Sequence, residues 1–268
     1  MSSRAVDAAV LAALFALAAL IIALFPLAFL PAAAVLALPS TTYLCWRRPK
    51  HLLRVVLGGV LVGAIGVFML DFAGVKTSAW LYHGDRLLFP AKVAGVVPLE
   101  IILWGFLWSC WIIVFYEHFF EADTDGRISR NYLPFLAVSA VGACLLPLVP
   151  PVVWDTAKHG YLWNGLFTLW PVVWVAYTRR RIFLRTILPA AALLCAPNFL
   201  FEVASLVNGG YWSFPGRYGY LLPGGFPLEE VIFWVLLDSL VTLCVFELFV
   251  ACRNPAARRA VIESAHDI

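Results

Sequence analysis

Six carboxylic acids and one amide interrupt otherwise apolar stretches of this chain: Asp71, Glu100, Asn198, Glu202, Glu229, Glu230 and Asp238. An ionisable side chain inside a long apolar segment is costly and usually has a task. Carboxyl groups that share a dry site can divide the work, one protonated as an acid and another ionised as a base. Proton transfer is the chemistry this pattern implies. Asn198 and Glu202 are spaced i and i+4, as are Glu230, Trp234 and Asp238, so each set shares one helix face. Glu100 shares a face with Trp104, Trp108 and Trp111. An acid therefore heads an aromatic face in each half of the chain, and aromatic faces stabilise cations. Trp80, Trp212, Arg86 and Arg217 lie in the loops that precede these helices, where the arginines suit a structural partnership with the acids. Simpler roles exist for single residues. Pro98 and Pro227 mark first helical turns, where an acid serves as a cap. Trp80, Tyr82 and Trp212 suit an interfacial aromatic belt.

Motifs for other chemistries are missing. The six cysteines form no C-x-x-C pair, and the five histidines are scattered without a ligand spacing. The run from Glu121 to Gly126 has some likeness to a calcium loop, but Tyr132 stands where the twelfth-position acid belongs. No G-x-G-x-x-G or phosphate-binding loop occurs. The expected chemistry uses no nucleotide, redox cofactor or metal. The net charge of +3 is small and gives no reason to expect nucleic acid.

The elements that position these residues are membrane helices. Of the 268 residues, 63% are hydrophobic and 13% charged, with a mean hydropathy of +0.89, against about 25% charged in ordinary soluble domains. Eight apolar runs are long enough to span a bilayer, at 5–25, 28–46, 52–73, 97–118, 132–153, 161–178, 183–205 and 227–250. The first is longer than a signal-peptide core and is read as a retained helix. With the N-terminus inside, 14 of the 19 Lys and Arg fall on inner segments, the bias expected of cytoplasmic loops. Both termini are thus expected in the cytoplasm, with the protein integral to the cell inner membrane.

The chain also meets itself at a shift of about 131 residues: Arg54 on Arg185, Asp71 on Glu202, Arg86 on Arg217, Pro98-Leu99-Glu100 on Pro227-Leu228-Glu229, and Glu117 on Glu247. An even number of spans per copy makes the copies parallel. The expected architecture is an all-α polytopic membrane protein of about eight transmembrane helices, built as two parallel four-helix repeats at 1–131 and 132–268. The long loops at 74–96 and 206–226 bring the end of one helix near the start of the next. Asp71 is expected near Glu100, and Glu202 near Glu229 and Glu230.

These residues resemble the lycopene cyclase domain family, the small polytopic non-flavin carotenoid cyclases found as paired subunits or fused repeats. The likeness lies in an acid, then Trp and Arg in the loop, then Pro-x-Glu-Glu opening a helix. It is clearest from Glu202 to Glu247, with Trp212, Arg217 and Pro227-Leu228-Glu229-Glu230, and weaker from Asp71 to Glu117. Together these stretches cover about a third of the chain. The first copy departs from the pattern, reading Pro98-Leu99-Glu100-Ile101 without the second acid.

The resemblance implies acid-catalysed ring closure of the linear ψ-ends of a carotenoid, with no redox cofactor. It implies Glu229 or Glu230 as the acid, with Glu202 and Asp238 setting protonation and Glu100 and Asp71 supporting. It implies Trp104, Trp108, Trp212 and Trp234 along the substrate. The expected partners are an apolar isoprenoid and the lipid bilayer, with homo- and hetero-oligomers both compatible. Competing readings are a carotenoid hydratase or other terpenoid cyclase, a proton-coupled transporter, and a non-catalytic scaffold. Against transport stands the lack of matching Gly or Pro breaks at mid-span, although Pro197 interrupts the seventh run.

Overall fold

The computed structural model describes residues 3–120, 127–156, 159–207, 210–216, 218–222 and 226–251, with side chains omitted at Ser3, Thr156 and 204–207. Helices α1 (Ser3–Leu24), α2 (Phe29–Arg47), α3 (Pro49–Lys76), α4 (Leu99–Phe119) and α9 (Arg180–Val203) are each long and apolar enough to cross a membrane. Between α4 and α9 lie α5 (Tyr132–Leu148), α6 (Pro151–Thr156), α7 (Gly160–Thr168) and α8 (Trp170–Thr178). The chain closes with α10 (Leu228–Leu236) and α11 (Asp238–Val250), which together count as a sixth span bent by 40°. The protein is a helical membrane protein, and its large exposed side chains are apolar over long stretches, among them Leu133, Leu148, Phe167 and Val173. A water-facing surface does not look like this; a lipid-facing one does.

Three expected spans differ from the sequence reading. The run 132–153 is the shorter helix α5, which ends at Leu148, and a second helix, α6, that starts at Pro151; Val149 between them is extended and Pro150 cannot continue the ladder. The run 161–178 is two nine-residue helices rather than one, broken at Leu169 just before Trp170-Pro171. Proline lacks the N–H that would continue the ladder and fits a first turn. The run 227–250 is bent at Leu237, which is neither Gly nor Pro. There the Leu237 N–H reaches back to the Ile232 carbonyl, five residues away, at the end of a widened turn over Val231–Leu236. The span is therefore interrupted beside Asp238 at a position that neither Gly nor Pro marks. Pro197, by contrast, lies inside a continuous helix.

Among the described residues, six two-residue strands decorate the loops. Strands β2 (Lys92–Val93) and β3 (Val97–Pro98) pair as Lys92 with Pro98 and Val93 with Val97. Strands β5 (Leu221–Leu222) and β6 (Phe226–Pro227) pair as Leu221 with Pro227 and Leu222 with Phe226. Every residue of the second hairpin lies 129 positions after its counterpart in the first. The backbone N–H of Leu99 bonds Ala91 and that of Leu228 bonds Tyr220, again 129 apart. The remaining strands, β1 (Leu81–Tyr82) and β4 (Trp212–Ser213), pair with each other, Leu81 opposite Ser213 and Tyr82 opposite Trp212. The two long loops are thereby stitched together on one end of the bundle.

The opposite end is held by buried ions. The Arg54 guanidinium, fully buried in α3, lies 2.5 Å from Glu117 of α4, and His51 lies 2.7 Å from the same carboxylate. Asp7 of α1 accepts from the Tyr43 hydroxyl at 2.6 Å and Arg47 at 3.0 Å and lies 2.8 Å from His118, tying α1, α2 and α4 together. Glu247 of α11 accepts from the Tyr116 hydroxyl at 2.7 Å. Mid-bundle, α3 and α4 cross at their glycines: a Cβ on Gly105 would lie 2.6 Å from the Gly63 carbonyl oxygen. Small residues permit this close backbone approach. The residues 131 and 129 positions later are Leu194 and Trp234, whose side chains leave no room for an equally close backbone approach.

Candidate functional site

Beneath the stitched loops, a cavity of about 150 Å³ opens between α3, α4, α7 and the bent pair α10–α11. Three acids line it: Asp71 from α3, Glu230 from the first turn of α10, and Asp238 from the first residue of α11. Asp71 and Glu230 are each only 6% exposed. The wall is aromatic, formed by Trp80, Trp104, Trp212 and Trp234 together with Phe29, Tyr82, Tyr161, Phe214 and Phe233. Trp104 packs against Trp234 with ring centroids 4.9 Å apart.

Each acid reaches the cavity for a local reason. Asp71 sits on the last two turns of α3, where the chain is about to leave the helix for the β1 loop. That loop folds back over it: the Trp80 indole N–H donates to Asp71 Oδ1 at 2.9 Å, and the Tyr82 hydroxyl donates to the same oxygen. Tyr82 lies in the loop, where burial, and then the neighbouring Asp71 charge, raise its phenol well above the usual range. It therefore stays a protonated donor. Glu230 accepts from the Tyr161 hydroxyl at the start of α7. Asp238 follows the bend, and its Oδ2 has no hydrogen-bond partner among the described residues. Glu202 is 2% exposed on α9, with both carboxylate oxygens unpartnered among the described residues. It lies behind the cavity wall, within electrostatic reach of Glu230.

Glu100 and Glu229 do not line the cavity. Glu100 accepts the Phe89 backbone N–H at 2.5 Å and the Leu30 N–H at 3.3 Å. Glu229 accepts the Gly219 N–H at 2.5 Å, while its Oε2 has no partner among the described residues. Both carboxylates face loop backbone, the task of an acid on the first turn of a helix. The acid that shares the cavity with Asp71 is thus Glu230 of the other half, not Glu100 of its own. The cause is the β1–β4 pairing, which draws the two long loops together.

Among the other expected residues, Trp108 and Asn198 lie behind the wall, joined by a 3.0 Å hydrogen bond from the indole N–H to the amide oxygen. Arg86 does not line the cavity; it lies 3.8 Å from Asp85 and, among the described residues, partners none of the buried acids. Arg217 falls outside the described residues. Tyr161 escaped the sequence reading because its partner is 69 residues away and no short motif joins them. Phe29, Phe214 and Phe233 were hidden by the abundance of aromatic residues. Among the described residues no three His, Cys, Asp or Glu side chains converge to hold a metal ion.

The arrangement sets three carboxyl groups on one cavity whose wall is largely aromatic. Carboxyl groups sharing a site can exchange protons, and aromatic faces stabilise cations. Compared with protein-family models, curated proteins and solved structures, the chain has no significant match.

Proposed function

We propose that this protein is an intramembrane isoprenoid cyclase of the lycopene cyclase type. It closes a carotenoid ψ-end by proton transfer. The observation that carries the reading is the meeting of Asp71, Glu230 and Asp238 on one aromatic-walled cavity within a helical membrane bundle. In this reading Glu230 protonates the terminal alkene and the electron pair of that bond forms the new C–H bond. The tertiary cation left behind is attacked by the neighbouring alkene, which forms the ring C–C bond and moves the positive charge into the ring. The Asp71 carboxylate, fixed by Trp80 and Tyr82, takes the proton from the adjacent carbon and a ring double bond results. Mass is unchanged, and the proton returns from Asp71 to Glu230 before the next turnover. Trp104, Trp212 and Trp234 shield the cation from water, which would trap it as an alcohol.

The finer architecture belongs to the same proposal: eight spans as two parallel four-helix copies, in the inner membrane, with both termini cytoplasmic. The matching hairpins 129 residues apart support the copies. So does the antiparallel pairing of β1 with β4, one strand from each long loop.

The test is expression in a lycopene-accumulating bacterium, with pigments separated and weighed by mass spectrometry. An isomer of unchanged mass with a shortened chromophore is the expected result. A product heavier by one water assigns a hydratase, and unaltered lycopene with the protein in the membrane sinks the cyclase reading for this substrate.

One observation favours a second reading, proton-coupled transport: the helix bend at Leu237 stands directly beside Asp238, and broken helices mark transporter sites. Proton uptake by protein-containing vesicles on addition of a solute separates that reading from catalysis.

A further inference from the structure

The bend that brings Asp238 to the cavity is held from outside its own helix. Asn198 of α9 is fully buried. Its side-chain nitrogen lies 3.3 Å from the Trp234 and Val235 carbonyl oxygens and 3.2 Å from Ser239 Oγ. These three acceptors straddle the bend, two before Leu237 and one after. The amide oxygen accepts from Trp108 Nε1, which orients the group so that both its N–H donors face the bend. An interrupted helical ladder in an apolar medium needs such partners, because backbone groups there have no water to turn to.

The first half of the chain supplies a comparison. The position 131 residues before Asn198 is Val67, which has no hydrogen-bonding side chain. The helix it faces, α4, runs unbroken from Leu99 to Phe119. The residue corresponding to Asp238, 129 earlier, is Ser109. The polar clamp, the bend and the extra acid thus occur together in one half and are all missing from the other.

The bend also has a geometric effect on the acids. An α-helix advances about 100° per residue, so Asp238, eight residues after Glu230, would stand about 80° round from it on a regular helix. A widened turn absorbs one residue, which brings the offset back to about 20° in the other direction. The slip therefore aligns Glu230 and Asp238 along one line facing the cavity.

We propose that Asn198 is a positioning residue, which clamps the α10–α11 bend and thereby turns Asp238 into the cavity alongside Glu230. This inference deepens the reading above and takes its cavity as the reacting site. It is tested without reference to activity by labelling purified full-length protein in nanodiscs with an apolar carbodiimide and mapping the modified carboxyls by mass spectrometry. Wild type is expected to be labelled at both Glu230 and Asp238. In Asn198→Leu, labelling of Asp238 is expected to fall by at least about fivefold, the equilibrium effect of losing a buried hydrogen bond, with Glu230 unchanged. Trp108→Phe, which keeps the amide and removes its orienting donor, is expected to lower Asp238 labelling about twofold and serves if Asn198→Leu does not fold. Wild-type labelling of Asp238 in folded Asn198→Leu overturns the proposal, as does wild-type labelling in Trp108→Phe should that be the only folded variant. A wild-type protein that leaves lycopene untouched while Asp238 labelling still depends on Asn198 overturns the cyclase reading alone.

Discussion

Glu100 and Glu229 stand 129 residues apart on equivalent first helical turns, and each carboxylate accepts a backbone N–H from the preceding loop, Phe89 in one case and Gly219 in the other. Two acids of the family-like motif therefore hold loops in place, and of the Glu229-Glu230 pair it is Glu230 that lines the cavity. Glu100→Ala is expected to lower stability by about 2 kcal/mol, the value of a buried hydrogen bond to a charged group. The check is the thermal unfolding midpoint in detergent. A midpoint equal to that of wild type would show that the loop contact is idle.

Glu230→Gln keeps the shape of the side chain and removes the transferable proton. It is expected to cut the cyclised product by about a hundredfold or more, the usual worth of a positioned acid, with the protein still inserted and monodisperse. Tyr161→Phe, which removes one hydrogen bond to the same carboxyl, is expected to cost about tenfold. Pigment chromatography on membranes of matched protein content reads both. Full activity in Glu230→Gln would remove Glu230 from the chemistry.

Gly63 and Gly66 make a matched pair for packing. A Cβ on Gly63 would fall on the Gly105 backbone, whereas one on Gly66 would meet nothing closer than 3.6 Å. Gly63→Ala is expected to destabilise the protein by about 1–3 kcal/mol through overpacking, and Gly66→Ala to be neutral. Denaturant resistance of the two variants in the same detergent decides the matter, and equal behaviour would contradict the crossing geometry.

Arg54 and Glu117 are both fully buried and 2.5 Å apart. Arg54→Met leaves the Glu117 carboxylate with His51 alone and is expected to cost about 3–5 kcal/mol, the range for breaking a buried pair. Adding Glu117→Leu to it is expected to recover most of that loss, because two apolar side chains then fill the space without an unpaired charge. Unfolding of the single and double variants provides the comparison. A double variant no more stable than Arg54→Met would show the pair to be worth more than its removal.

Hydrophobic run length located the long helices because a bilayer imposes that length directly: 5–25, 28–46, 52–73 and 97–118 match α1 to α4 within a few residues. The breaks were less legible. At Leu169 the following Pro171 was visible, but it sat in an unbroken apolar run. At Leu237 nothing local marks a bend, since its clamp, Asn198, is some forty residues earlier in the chain. The acids were legible as a set, because charge in an apolar run stands out. Their partners were not. Sequence adjacency joined Asp71 to Glu100, whereas the cavity joins Asp71 to Glu230 through strand pairing between distant loops.

That pairing has a consequence for how such a site arises. Leu81 faces Ser213 and Tyr82 faces Trp212, an arrangement that two identical molecules could adopt about a twofold axis. A dimer of identical chains carries every substitution twice, so an acid gained on one side is gained on both. On the reading of two parallel copies, joining them in a single polypeptide lifts that restriction. Ile101 and Glu230, Val67 and Asn198, Ser109 and Asp238 are then pairs that inheritance has set free of each other. One half has kept the tightly crossed helices and one cavity acid, Asp71, while the other has taken on the bend and two, Glu230 and Asp238. Division of labour between once-equal halves is what a covalent link makes possible.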